Sequence, residues 1–587
     1  MNFTKLPAVS YVLRKTLGVR SYAAGGLLPW GGPGVGRGRW GERNGEETLG
    51  SGEASVPGSQ FLPWECLSRS RLEPVLLSVT SLRDLRAIKP LLEGFQTSGV
   101  YDPYIVLSGS AALSPSVEFR AELETATIGA AAAAEGTGGR VLDLGRLGEG
   151  SICGVLEVGR DHGTGGESLV AQAQWAALLS QVSPVAVIAV SGTDAAATAA
   201  AAGRPDGFRQ GWGGADTEGE RAARRACGQA EAEIAYILLP EEDVPHSLWL
   251  ARLAPVALSS WARPRFSVSV ITNDRPRSLR RLLGSLRRSR LFGDQMAVDF
   301  YVESSADDET LEVADAFSSE WGDRGLVQTH FRVLKGGLIR AVSESFFPSD
   351  RHHHAFLLED DIELSPHFYA WAKWATLTYQ YGLPSDFMKS MYGVSLYTPR
   401  VDELGKQRRV YDSNKLVASQ TSGAKYSPYL HQLPCSWGAL YFAETWREYR
   451  LYLGARLRED HVSVNIEGSR TNKWKTSWKR YFIEMAYQAQ YYMLYPNFYN
   501  QTSFATNWLE VGEHIKVDTK GKGNDEKPEP PSAKGDSKHL PKDYTVPLME
   551  DKESLMDPLP GRRLPPLESL PRMDILNRFS KTRVGEK

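Results

Sequence analysis

Glu359, Asp360 and Asp361 are three adjacent carboxylates that follow the short apolar run Ala355 to Leu358 and precede Ser365-Pro366. Like charges this close repel one another unless a cation or basic groups sit among them, which marks the triplet as a candidate metal site. All-oxygen ligation suits a hard divalent ion, magnesium or manganese, better than zinc. The ordinary alternative is a solvated loop that caps the next helix.

The elements that place these acids are legible in the pattern. Ala355 to Leu358 reads as a buried parallel strand, and period-2 alternation points Glu359 and Asp361 one way and Asp360 the other unless the strand has begun to turn. Ser365 is expected as an N-cap with Pro366 at the first helical position, ahead of Phe368, Trp371, Ala372 and Ala375 at helical spacing. Upstream the units are regular. Phe266 to Ile271 is a strand, Thr272-Asn273-Asp274-Arg275-Pro276 a turn, and Leu279, Leu282, Leu283 and Leu286 a helical stripe. Strand Ala297 to Val302 runs through Glu303 and Asp307 into a helix carrying Leu311, Ala314 and Phe317. Strand Leu326 to Val333 runs through Lys335-Gly336-Gly337 into a helix over Leu338 to Phe347. Such alternation favours right-handed crossovers and a parallel sheet, so Arg275, Glu303, Asp307, Lys335 and the triplet should meet at one edge.

The 587 residues call for two domains plus tails. Lysine plus arginine (68) nearly balance aspartate plus glutamate (70), so no global field argues for nucleic acid as a partner. Cys66, Cys153, Cys227 and Cys435 form no CxxC pair, which points to neither a zinc site nor a disulfide scaffold. No window has the apolar length of a membrane span, and the basic first forty residues suggest organelle import or an uncleaved leader. Residues 1–65, rich in glycine and arginine, read as a disordered or targeting leader. Residues 70–263 read as an α/β accessory domain, with strands over Pro74–Val79, Tyr104–Leu107, Gly154–Val158, Val185–Val190 and Ile234–Leu239. Helices are expected over Ser168–Ser180 and Gly219–Ala230, and the alanine tracts 130–134 and 195–202 are expected as insertions. His352 to His354 read as a solvated triplet, and residues 516–587 as a disordered tail.

Four segments carry a family resemblance: SVSVITNDRPRSLRRLLGSL, AFLLEDDIELSPHFYAWA, SWGALYFAETW and YPNFYNQTSFATNWLEVGEH. Through them, residues 264–515 resemble the GT-A glycosyltransferases and, among these, N-acetylglucosaminyltransferase I and its relatives. ICGVLEV and VAVIAVSGTDAA, in the region before, are similar to ILEI/PANDER-type stem domains.

The resemblance implies a GT-A-type, Rossmann-like mixed α/β sheet with flanking helices. It makes Asp361 the ligand of Mn2+ (or Mg2+) that holds the diphosphate of a UDP-linked sugar, with Asp360 near the ribose and Glu359 near the sugar or acceptor. Arg275 is expected beside the nucleotide, Glu303 or Asp307 at uracil, Trp437 with Gly438 as the floor under the sugar or acceptor, and His514 closing the site. The family's reaction inverts the anomeric centre, with a base from a Trp-Asp-Asp-like segment. Here that segment reads Trp478-Lys479-Arg480, leaving Glu484, Glu459 or Asp460, of which Glu484 is the closest downstream. The expectation is a transferase moving a sugar, GlcNAc by resemblance, to a glycan or glycoprotein hydroxyl in the Golgi or another endomembrane lumen. Two alternatives stay open: a nucleotidyltransferase on the same sheet, and a glycan-binding protein that has lost its base.

Overall fold

The computed structural model describes residues 72–108, 155–158, 175–191, 218–230, 234–383, 390–420, 426–458, 464–510 and 545–579, less a few positions inside those ranges. The N-terminal part alternates β1 (Glu73–Val79), α1 (Leu82–Gln96), β2 (Tyr101–Ser108), β3 (Val155–Val158), β4 (Ala186–Ser191), α2 (Glu218–Gln229) and β5 (Ala235–Pro240). All four pairings are parallel, in the order β3-β2-β1-β4-β5. Val75 to Val79 are all buried, the mark of a parallel strand covered on both faces. The five expected strands are found within a few residues of their predicted ends. Helix α1 is one that pattern reading missed: Leu85, Ile88, Leu91, Leu92 and Phe95 form its buried stripe, but Pro90 interrupts it. Only the end of the helix expected over 168–180 falls among the described residues, and the leader and both alanine tracts lie outside them.

The second unit begins with β6 (Arg265–Thr272), α3 (Pro276–Arg287), β7 (Ala297–Val302), α4 (Asp308–Trp321), β8 (Val327–Phe331), α5 (Gly337–Ser343) and β9 (His353–Glu359). There follow β10 (Ile362–Leu364), α6 (Phe368–Thr376), β11 (Met391–Ser395), β12 (Tyr429–His431), β13 (Ala439–Tyr441) and α7 (Ala443–Arg458). The chain then forms α8 (Trp478–Ala489), β14 (Tyr492–Tyr495), β15 (Ala505–Asn507) and β16 (Arg572–Met573). Nine strands make one sheet in the order β16-β12-β14-β11-β13-β9-β6-β7-β8. The expected parallel run is real for β9, β6, β7 and β8, while β13 lies antiparallel to β9, so the fold is a mixed α/β sheet with flanking helices. Among the described residues no helix is long and apolar enough to cross a membrane.

Three expectations are corrected here. Residues 545–579, read as part of a disordered tail, form a strap that buries Met549, Leu555, Met556, Leu559, Leu564, Leu567, Leu570, Met573 and Ile575 and adds β16 to the sheet. An irregular strap has no hydrophobic period, so its apolar residues gave no signal. His352 to His354 are not a solvated triplet: two of them open β9, and His354 is 3% exposed and held neutral by burial, which lowers its pKa to about 3. Ser365 is not the cap of α6, which starts at Phe368 with His367 in the N-cap position; the Ser365 hydroxyl donates to the Met549 carbonyl and accepts from the His367 amide.

A single hydrophobic core runs across the expected boundary at residue 263, joining Val75, Leu77 and Ile188 to Val268, Leu282 and Phe356. Trp249 stacks on Trp261 at 5.7 Å and also meets Trp374, and the Tyr101 hydroxyl donates to the Leu253 carbonyl at 2.8 Å. Lys373, almost fully buried, is ion-paired to Asp294 and lies 3.5 Å from the Trp261 ring centroid.

Candidate active site

Strand β9 stops at Glu359, and Asp360-Asp361 form the turn into β10, so the three acids point different ways. Asp360 is turned inward with no exposed surface, accepting from the Thr272 hydroxyl at 2.8 Å and ion-paired to Arg275. Burial pushes its pKa up to about 6 against the pull of Arg275. Asp361 has Oδ2 3.7 Å from Arg275 Nη1 and accepts a hydrogen bond from the Asn507 side chain, while its Oδ1 is buried without a hydrogen-bond partner. Its pKa is raised, first by burial. Glu359 lines a small recess with Ile271, Leu357, Cys435, Ser436 and Trp478. Burial, then the Asp361 charge, push the Glu359 carboxyl to about 8.

The supporting elements explain these positions. Residue Arg275 immediately precedes Pro276 at the start of α3, which brings its guanidinium from the β6 turn onto the β9 turn. Thr272 is the last residue of β6, and the Asp360 amide donates to the Ile271 carbonyl. Gly438 has φ +89°, and a Cβ there would lie 3.0 Å from the Ala505 Cβ and 3.6 Å from Ile362, so glycine lets the SWG segment close on the triplet. Trp437 meets Tyr397 edge-on at 4.9 Å and has the Lys479 ammonium 5.3 Å from its ring centroid. Lys479 also reaches the Ser436 hydroxyl at 3.5 Å. The Trp478-Lys479 segment therefore does come to the recess, carrying a lysine where the resembled family has acids.

Other predicted site residues have different work. Glu484 is buried, accepting from Arg456 at 2.9 Å, Arg480 at 3.0 Å and Tyr452 at 3.2 Å, so its contacts tie α8 to α7 rather than to the triplet. Two arginines thus share the Glu484 carboxylate between α7 and α8. Glu303 folds back to accept from the amides of Ser304, Gly336 and Gly337, tying the end of β7 to the loop before α5. Burial opposes its ionisation, but those three amides outweigh it and hold the pKa low. Asp307 is the N-cap of α4, accepting from the Thr310 amide at 2.8 Å. His514, Glu459 and Asp460 lie outside the described residues.

Sequence reasoning did not single out Thr272, Ser436 or Asn507, which reach the site from the end of β6, the loop before β13 and the end of β15. Trp508 was also missed: its amide donates to the Asp361 carbonyl, and its indole donates to Glu363 at 2.9 Å.

A family model described as the SPBC1E8.03c C-terminal domain matches residues 276–462, about a third of the chain. No curated protein matches. Solved structures similar to the chain include residues 1–349 of S. aureus TarS, at 10% identity over 41% of this chain and 59% of that one, with TM-score 0.25. GalNAc-T7 with UDP, GalNAc and Mn2+ is similar at 14% identity over 40% of this chain and 42% of that one, with TM-score 0.27. A putative UDP-N-acetylglucosamine 2-epimerase from Listeria monocytogenes is similar at 9% identity, covering 44% and 69%, with TM-score 0.18. The chain spans less than two thirds of TarS 1–349 and of GalNAc-T7. Likenesses this slight leave the function to be argued from the site.

Proposed function

We propose that this chain is a metal-dependent, inverting glycosyltransferase of GT-A type that moves a sugar from a UDP-linked donor to an acceptor hydroxyl. The observation that carries the reading is the division of labour among the three acids at the end of β9. Asp360 is neutralised by Arg275, Asp361 keeps one buried oxygen bare, and Glu359 faces an apolar recess.

Asp361 fits a hard divalent cation, since its Oδ1 is a buried acceptor in need of a partner. Among the described residues, three His, Cys, Asp or Glu ligand atoms are not gathered at the triplet, so Asp361 fits an ion whose other ligands are diphosphate oxygens and water. Bound there, Mn2+ or Mg2+ supplies fixed positive charge to the leaving diphosphate. Arg275 adds a second fixed cation at the same turn.

Glu359 takes the place of Glu484 as base. Its raised pKa puts it in the range where a carboxylate accepts a proton effectively near neutral pH. Charge neutralisation at Asp361 removes part of what raises that pKa, so loading of the donor site favours the ionised, proton-accepting form. The base then deprotonates the acceptor hydroxyl as its oxygen attacks the anomeric carbon from the side opposite the diphosphate. Trp437, only partly buried, offers a flat apolar face for the sugar, and Ser436 and Lys479 offer polar contacts around it. GlcNAc as the donor sugar, a glycan or glycoprotein acceptor and an endomembrane location belong to the same reading and rest on the resemblance.

A panel of UDP-, GDP- and nucleoside-monophosphate-linked sugars incubated with the full chain and Mn2+ tests it. The reading predicts metal-dependent release of UDP from one UDP-sugar; absence of any nucleotide release, with or without acceptor glycans, contradicts it and favours a binding protein.

A further inference from the structure

His246, His367 and Asp551 come from three distant stretches: the short 3₁₀ helix Glu241–His246 after β5, the turn before α6, and the C-terminal strap. One ligand atom from each lies within 4.8 Å of the others, and the two imidazole centroids are 5.2 Å apart. His367 is 1% exposed, and its Nε2 lies 3.1 Å from the Asp551 backbone carbonyl. A carbonyl only accepts, so Nε2 carries the proton and Nδ1 keeps its lone pair. That Nδ1 is buried with no hydrogen-bond partner. A ligating histidine has this same arrangement, one nitrogen on the metal and the other donating to a carbonyl. Burial also disfavours the imidazolium form of both rings. The Asp551 carboxylate receives Arg290 at both oxygens, at 2.7 Å each, and Arg290 also binds Asp243 at 2.9 Å. Each of those oxygens retains a second lone pair.

We propose that His246, His367 and Asp551 form a structural zinc site that staples the strap to the first sheet's exit and to α6. Two imidazole nitrogens and one carboxylate oxygen, with a fourth position for water, are a donor set that zinc accepts and that manganese or magnesium takes less readily. The site is separate from the triplet, which offers oxygen alone.

The test is zinc content of the full chain, made without a histidine tag and dialysed against buffered zinc, read by inductively coupled plasma mass spectrometry. Wild type and Asp361→Asn are expected to hold about one zinc per chain. His246→Gln and His367→Gln are expected to weaken zinc binding by more than the roughly 10–100-fold that loss of an outer-shell partner costs. His246 is only half-buried, so His246→Gln decides the matter should His367→Gln fail to fold. In wild type a chelator is expected to lower Tm, and zinc but not manganese to restore it. Wild type without zinc above the buffer blank, or His246→Gln with undiminished zinc, overturns the proposal.

Discussion

The guanidinium of Arg275 is ion-paired to Asp360, a carboxylate with no surface exposed to water. Removal of one partner leaves the other charge buried alone, which typically costs 3–5 kcal/mol. Arg275 keeps about a quarter of its side chain in water, so Arg275→Ala is expected near the lower end, about 3 kcal/mol at neutral pH. Urea denaturation of the variant checks this, and an unchanged midpoint would show that the pair is not structural.

The same acids predict how stability varies with pH. The Glu359 carboxyl rises from 4.5 to about 8 on folding, and Asp360 from 3.8 to about 6. Folded protein therefore binds more protons than unfolded protein between these values, and stability must fall as pH rises from about 4.5 to 8. Manganese with UDP is expected to flatten that slope by offsetting the negative charge at Asp361. Thermal melts at pH 5 and pH 8, with and without the pair, measure both effects.

Glu484→Ala is expected to cost about 3–5 kcal/mol, because Arg456 and Arg480 lose their shared carboxylate. Its folded fraction should retain the wild-type rate, whereas Glu359→Gln should fold normally and lose roughly 10²–10⁴-fold in kcat. Steady-state kinetics corrected for folded fraction separates the two glutamates.

Truncation after residue 515 removes the strap and exposes the surface it covers. Nine buried apolar side chains at about 1.5–3 kcal/mol each are comparable to or larger than the typical net stability of a domain. A chain ending at 515 is expected to aggregate, and gel filtration of the truncated and full chains checks it.

Much of the sheet could be read directly from residue patterns. Ala297 to Val302 and the helical stripe of α3 have strong local periods, and β9 is an apolar run with charge at its end, so a parallel run of strands and the meeting of Arg275 with the triplet followed from topology. Partners that arrive from elsewhere in the chain were not legible. Nothing in RYFIEMAYQAQ announces that Arg456 of α7 will reach Glu484, and nothing around Glu303 announces that the Gly336 and Gly337 amides will claim its carboxylate. Asp307 caps α4 through the Thr310 amide three residues on, a local signal that the sequence reading left unused. The strap escaped because its apolar residues are spaced irregularly among prolines and charges.

Manganese binding read by electron paramagnetic resonance shows whether Asp361 holds the cation proposed to meet the donor's diphosphate. With UDP present, wild type is expected to bind one equivalent of Mn2+ tightly and Asp361→Asn to lose that binding, with a fall in kcat on the order of 10²–10³-fold. Undiminished manganese binding by Asp361→Asn would contradict the account.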